Sequence, residues 1–386
     1  MSEFRTIREL CSVVVDCPHS TPKWTANGKI VIRNKNIKHG KIDFSSPSYT
    51  DDEHFAQRIK RAKPQPGDII ITREAPIGDV GMIPENTECC LGQRMVLLRA
   101  NQSVCDNFYL LYSLQSLYVQ HQISWSEGTG TTVSNLRIPH LEQIQIPYLP
   151  LEQQAKISSV LRALEEKIEN NRRLNDNLQQ QAAALFSSLY DRTNTEVRFT
   201  DLIQILGGGT PKTGENTYWN GNIAFFTPKD VGTPYTLITE KTITEEGLSH
   251  CNSRLYPVNT VFVTARGTVG KVGMSGVPMA MNQSCYALVG KETHQLLVYF
   301  YTLKAVDRLK HKASGAVFDA ITTRDFESEQ IMKLSDDDAK AFLCIAEPMF
   351  QKVLNNCIEN LRLSTLRDSL LPKLMSGEVD ASAVQL

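Results

Sequence analysis

Apolar residues between Leu151 and Tyr190 recur on an alternating three-and-four spacing. Leu161, Leu164, Ile168, Leu178, Ala182, Leu185 and Leu189 lie on the seam of a coiled coil. No proline or glycine occurs between Pro150 and Asp191, so nothing interrupts the helix that this spacing predicts. At ~1.5 Å per residue, about 38 residues make a rod of roughly 55–60 Å. Asn171 and Asn175 fill two further seam positions. An Asn in such a seam costs stability but fixes register and partner number.

The same chain encodes a partner for this seam. Displacing each seam position by 185 residues gives Ala346, Met349, Val353, Asn356, Asn360, Leu363, Arg367, Leu370 and Leu374, without a gap. The Asn pair recurs at the same two positions, which marks an internal duplication. Arg367 is discordant. It is in phase with the small Ala182, so its stem is expected along the seam with its head in water. The second helix is expected to start near Asp336, to be kinked or divided at Pro348, and to loosen at Pro372 before Gly377 ends it.

Four segments follow: a globular stretch over 1–149, a helical one over 150–192, a second globular stretch over 193–335 and a second helix over 336–380. In the first globular stretch, Val13–Val15, Ile30–Arg33 and Ile69–Thr72 read as strands. Asn107–Gln122 reads as a helix, and Ile138-Pro139 and Ile146-Pro147 read as extended. A Gly/Thr loop covers 127–132. The second stretch repeats the order, with Ile223–Thr227, Pro257–Thr264, a helix over Gln295–Lys310 and a Gly loop at 314–316.

Net charge is −1, which does not advertise nucleic-acid binding. Local basic groups exist all the same, at Arg33, Lys35, Lys38 and Lys41 and at Arg58, Lys60, Arg61 and Lys63. Nine cysteines with no C-x-x-C argue against a disulfide framework or a zinc site and for a reducing cytoplasm. No apolar run approaches the ~18 residues of a membrane span. His19, His39 and His54 are the nearest thing to a histidine cluster, without metal-ligand spacing. Gly207-Gly208-Gly209-Thr210-Pro211-Lys212 fails as a phosphate loop, because Pro211 stands where a glycine must precede the lysine. No catalytic constellation is present, so a binding protein without cofactor is expected.

Arg33-Asn34-Lys35-Asn36 and Thr227-Pro228-Lys229-Asp230 occupy corresponding strand ends. Side chains of these types contact phosphates and base edges. The candidate DNA-contacting residues are Arg33, Lys35, Asn36, Arg73, Gln93 and Arg94 in the first stretch. In the second they are Lys212, Thr227, Lys229, Arg266, Asn282 and Gln283. Asn171, Asn175, Asn356 and Asn360 are expected to meet in polar layers that set helix-pair register.

Four phrases carry a family resemblance: Asp16-Cys17-Pro18-His19-Ser20-Thr21-Pro22-Lys23-Trp24; Gly208-Gly209-Thr210-Pro211 with Tyr218-Trp219; Ile146-Pro147-Tyr148-Leu149-Pro150-Leu151-Glu152-Gln153-Gln154; and Leu370-Leu371-Pro372-Lys373-Leu374-Met375-Ser376-Gly377-Glu378. Together they resemble the specificity subunit of type I restriction–modification systems, over nearly the whole chain. Lys333–Asp338 is a degenerate second copy of the third phrase, which questions the symmetry of the two helix entrances.

The resemblance implies an α+β fold. Two similar α/β target-recognition domains would be separated by two long antiparallel coiled-coil helices with pseudo-two-fold symmetry. Each domain would read one half of a bipartite, asymmetric target in double-stranded DNA. Two methyltransferase subunits carrying S-adenosylmethionine would dock on the chain, restriction subunits would join them, and the chain itself would be non-catalytic. The rival reading is a coiled-coil adaptor whose globular ends bind protein.

Overall fold

The two long helices run Leu151–Tyr190 and Asp336–Ser376, and both extend through two compact units. One unit comprises Met1–Lys167 and Leu363–Leu386, the other Ile168–Arg362. Each globular lobe therefore owns part of both helices, whereas the sequence partition set the helices apart as segments of their own. The structure, a computed structural model, describes residues 3–38, 40–125, 135–232, 234–312 and 320–384. The Gly-containing loops at 127–132 and 314–316, and His39, lie outside the described residues.

The first lobe is built on an antiparallel sheet ordered Cys11–Asp16, Met95–Ala100, Ile69–Thr72, Val80–Met82. Ile69, Ile70, Ile71 and Thr72 are all buried, which is why this stretch shows no alternation in the sequence. A second sheet flanks Lys29–Ile32 with Ser48–Thr50, antiparallel, and Cys89–Leu91, parallel. Glu3–Thr6 pairs with Gln145–Tyr148 just before the first long helix.

The second lobe repeats this plan. Its main sheet is ordered Ile203–Gly207, Cys285–Gly290, Val261–Thr264, Val272–Ser275, with Tyr235–Thr236 added at the edge. Trp219–Phe226 again has one antiparallel and one parallel neighbour, Lys241–Ile243 and Met279–Met281. Glu196–Arg198 pairs with Gln330–Met332 before the second long helix. Two lobes with one strand order, each leading into a long helix, are the product of duplication.

Within each unit the helices pack antiparallel. In the first, Ile157, Val160 and Leu161 share a core with Leu374 and Met375 and with the lobe's Tyr109, Leu110 and Leu114. In the second, Ala182, Phe186 and Leu189 meet Phe342, Ala346, Phe350 and Val353. Phe186 stacks on Phe300 at 5.0 Å and meets Phe342 edge-on at 5.4 Å, so the helix pair and the lobe share one aromatic core.

The two helix entrances differ, as the degenerate phrase suggested. Gln154 is buried; it accepts from the Asp106 amide and donates to the carbonyls of Val104 and Leu149. The second helix has no such tie at Ala339 and is instead capped by Ser335, whose hydroxyl accepts from Asp338 N.

Local expectations change at several points. Of the two expectations at Pro348, division does not occur: the C-terminal helix runs through it as one helix. Proline removes one bond and frees the carbonyl four residues back, at Cys344, which is on the exposed side, while Ala346 and Phe350 anchor both flanks in the core. The helix also continues through Pro372 and ends at Gly377, where φ is +75°. Asn107–Gln122 is two helices, Asn107–Gln115 and Leu117–Ser124, because the Ser116 hydroxyl caps the second by accepting from Val119 N. Ile138-Pro139 opens a short helix, Ile138–Gln143, where the ring of proline suits the first turn. Finally, the Arg367 head does not simply reach water: it lies 3.6 Å from Glu165 on the facing helix and pairs with Asp368.

Burial pushes the thiols of Cys11, Cys89 and Cys285 up to about 12 and that of Cys90 to about 11. Cys344 is exposed. Iodoacetamide at pH 8 is expected to alkylate Cys344 in the native chain and to leave those four unmodified until denaturant is added; peptide mass mapping reads this directly.

Candidate nucleic-acid interface

At the end of Lys29–Ile32 the chain makes a turn locked by its own side chain. Asn36 N donates to Arg33 O at 2.8 Å, and Arg33 N donates to Asn36 Oδ1 at 3.0 Å. The second lobe makes the same turn after Trp219–Phe226: Asp230 N donates to Thr227 O at 3.0 Å and Thr227 N to Asp230 Oδ2 at 2.8 Å. Both turns present an exposed lysine at their third position, Lys35 and Lys229. Lys229 has Glu240 within 3.5 Å, but its side chain is 80% exposed.

A second pair of loops follows the first strand of each main sheet. Thr21-Pro22-Lys23 and Thr210-Pro211-Lys212 carry the same three residues. Each is held by a glutamine at the start of the neighbouring strand: Gln93 Nε2 donates to His19 O and Thr21 Oγ1, and Thr210 Oγ1 donates to Gln283 Oε1. The glycine run leading into the second loop exists for close approach. A Cβ at Gly208 would lie 2.2 Å from Asn282 O, and one at Gly209 would lie 2.6 Å from Asn252 N. Gly209 N donates to Met281 O, so this amide is used by the fold.

Arg58 organises the first lobe's loop. It is 6% exposed and donates to four carbonyls: Leu91 at 2.6 Å, Ser20 at 2.8 Å, Gly92 at 2.8 Å and Pro18 at 3.0 Å. Burial lowers its pKa, yet a guanidinium stays charged, and the four carbonyl dipoles solvate it.

The candidates from sequence divide into exposed and internal groups. Arg33, Lys35, Arg94, Lys212, Lys229, Arg266 and Gln283 are exposed. Arg33 lies over the indole of Trp24, 4.9 Å from the ring centroid, and Trp24 is itself 44% exposed. Arg94 has positive φ and pairs with Glu74 at 3.2 Å.

Asn36 and Arg73 are buried in the fold. The Asn36 amide donates to Asp43 O and Ser46 O. Arg73 donates to both oxygens of Asp16 at 2.9 Å, to Leu136 O and to Asn135 Oδ1. Thr227 spends its hydroxyl on Asp230, Asn282 accepts from Ser284 N, and Gln93 and Gln283 hold loops. Arg73 turns inward because Asp16 faces it; in the second lobe strand pairing puts Gly207 in the place of Asp16 and Ala265 in the place of Arg73, and Arg266, one residue further on, is exposed. Lys23, Trp24 and Arg58 were absent from the candidate set. The recurring Thr-Pro-Lys was the signal for the first two.

His19 and His54 bond Asp16 and Asp51 respectively, and no group of three or more metal-ligating residues assembles among the described residues. No described helix is long and apolar enough to cross a membrane.

The two lobes thus share one strand order and the same two lysine-bearing loops, and each leads into a long helix. The family model for the type I restriction modification DNA specificity domain matches twice, over residues 3–180 and 192–333. The chain belongs to that family. DNA target recognition as a type I specificity subunit is therefore its role.

The specificity subunit of the Methanocaldococcus jannaschii type I restriction enzyme MjaIX is 23% identical over 340 residues, covering 81% of this chain and 78% of that one. The HindI specificity subunit of Haemophilus influenzae is 28% identical over 186 residues, 47% of this chain and 40% of that one. The crystal structure of a type I restriction–modification S subunit from M. genitalium matches in fold with a TM-score of 0.62 at 18% identity, covering 97% of this chain and 96% of that one.

Proposed function

We propose that each lobe reads one half of a bipartite, asymmetric DNA target, and that the chain docks two methyltransferase subunits bearing S-adenosylmethionine, with restriction subunits joining for cleavage. The observation that carries this reading is the combination of one shared lobe framework with different exposed side chains. Duplicated scaffolds with unlike surface residues suit a reader of two unlike half-sites. The chain contributes recognition and leaves the chemistry to its partners, acting in the cytoplasm. A charge of −1 gives weak electrostatic attraction to DNA, so methyltransferase subunits would supply basic surface.

The test is co-purification with a type I methyltransferase subunit, followed by gel shift on randomised duplex. Selection of a target with two defined blocks and an undefined gap is the expected result. Selection of a single contiguous block, or no selection, would refute the reading.

A further inference from the structure

Comparing the two lobes separates what is shared from what is not. The shared elements are four lysines on two equivalent loops, Lys23 and Lys35 in the first lobe and Lys212 and Lys229 in the second, with matching loop locks behind them. The unshared elements sit beside them. Trp24 follows the first Thr-Pro-Lys, where the second lobe has Thr213; Arg33 opens the first locked turn, where the second lobe has Thr227.

We propose that the four lysines are equivalent contacts to the phosphate backbone, and that the Arg33–Trp24 pair reads a base in one half-site only. The proposal rests on the DNA-reading function above and assigns the work within it. Every half-site offers the same phosphates, so two copies of a reader keep the same lysines for them. Half-sites differ in their base edges, so the side chains that meet bases must differ between copies.

Arg33 fits the second task. Its guanidinium lies against the exposed indole of Trp24, which limits its orientations, and its own backbone N–H is fixed by Asn36. A fork-shaped donor held in one orientation suits the O6 and N7 acceptors of guanine in the major groove. Thr227, at the same point of the second lobe, has its hydroxyl turned into Asp230 Oδ2 and offers no such fork. The lysines fit the first task. Each is on a loop, and the carboxylates near them, Asp51 at 3.5 Å from Lys23 and Glu240 at 3.5 Å from Lys229, form exposed pairs that a phosphate displaces at small cost.

The experiment uses the full chain in complex with its methyltransferase subunit. Target sequences come from methylome mapping, and binding is measured by fluorescence anisotropy over a salt series. K23Q, K35Q, K212Q and K229Q are each expected to lower the slope of log affinity against log salt by about 0.9 while leaving the methylated motif unchanged. R33A and R33K are both expected to relax a single position in one half of the motif, with discrimination there falling roughly tenfold or more. The two arginine variants together guard against a folding artefact, since R33K keeps charge and stem and loses only the fork.

Lysine variants that change the motif, or that leave the salt slope as it was, overturn the phosphate assignment. Arginine variants that leave the motif intact overturn the base-reading assignment. A wild-type complex that selects no target refutes the underlying function, and the proposal with it; a normal wild-type target with unresponsive variants refutes the proposal alone.

Discussion

Replacing Arg58 with alanine is expected to destabilise the first unit by roughly 2–4 kcal/mol. The guanidinium is enclosed and donates to the carbonyls of Pro18, Ser20, Leu91 and Gly92. Alanine leaves those acceptors facing a cavity in the protein, and it also removes the packing of the stem. Two segments lose their common tie: the loop ahead of Thr21-Pro22-Lys23 and the turn ahead of Gln93. Arg58→Lys is expected to recover only part of the loss, since an ammonium is a point donor and cannot span acceptors arrayed around a planar fork. Arg58 ends helix Asp52–Arg58, which follows Ser48–Thr50; the helix in the same place in the second lobe, Glu245–Ser249 after Lys241–Ile243, contains no arginine, so this tie belongs to the first unit. Urea unfolding of the full chain, with hydrogen exchange over residues 17–23 and 89–95, checks this. An unchanged midpoint and unchanged protection would contradict it.

The second large effect has the opposite sign. Changing Asn171, Asn175, Asn356 and Asn360 together to leucine is expected to raise stability, by on the order of 1–4 kcal/mol. Asn171 Nδ2 donates to Asn360 Oδ1 at 2.9 Å and to Glu359 at 2.8 Å, and Asn356 Nδ2 donates to Asn175 Oδ1 at 2.7 Å. The two layers are each other's counterparts under the duplication, because Asn171 corresponds to Asn356 and Asn175 to Asn360.

Asn356 is fully buried, and its Oδ1 has no partner, a cost that leucine removes. Single changes should behave differently: Asn356→Leu alone leaves Asn175 Oδ1 without its donor, so it destabilises where the paired change does not. What the quadruple variant loses is discrimination. A uniform apolar seam accepts shifted registers and foreign helices, while an Asn pair is satisfied in one register. Thermal melting with light scattering tests both halves of this claim. A more stable chain that remains a single species, with unaltered exchange protection along both helices, would contradict the register role.

The sequence made the long helices legible almost to the residue. An uninterrupted three-and-four spacing has few alternative structures, and the repeated Asn pair tied the second helix to the first. Ile69–Thr72 was equally plain, as a short β-branched run between a Pro-Gly turn and a basic residue. The passage through Pro348 was not legible, because whether one lost hydrogen bond breaks a helix depends on the packing of Ala346 and Phe350 around it.

Polar side chains were harder still. Asn36 and Arg73 belong to the residue types that touch DNA, but Asp43, Ser46, Asp16 and Leu136 claim them first, across separations that no local pattern reveals. The Thr-Pro-Lys repeat escaped for a different reason. The two copies on equivalent loops, at 21–23 and 210–212, are 189 residues apart, against 185 for the helices, and a third Thr-Pro-Lys at 227–229 lies on the other loop, so a comparison at one fixed offset misses the match.

The central claim is that one chain carries two unlike readers on a duplicated frame. Co-expressing the chain with its methyltransferase subunit in a host lacking other methylation, and sequencing the methylome at base resolution, tests it most directly. The account predicts one motif of two different defined blocks separated by a constant undefined gap, lost when the chain is omitted. Methylation that persists without the chain, or a single uninterrupted motif, would contradict it.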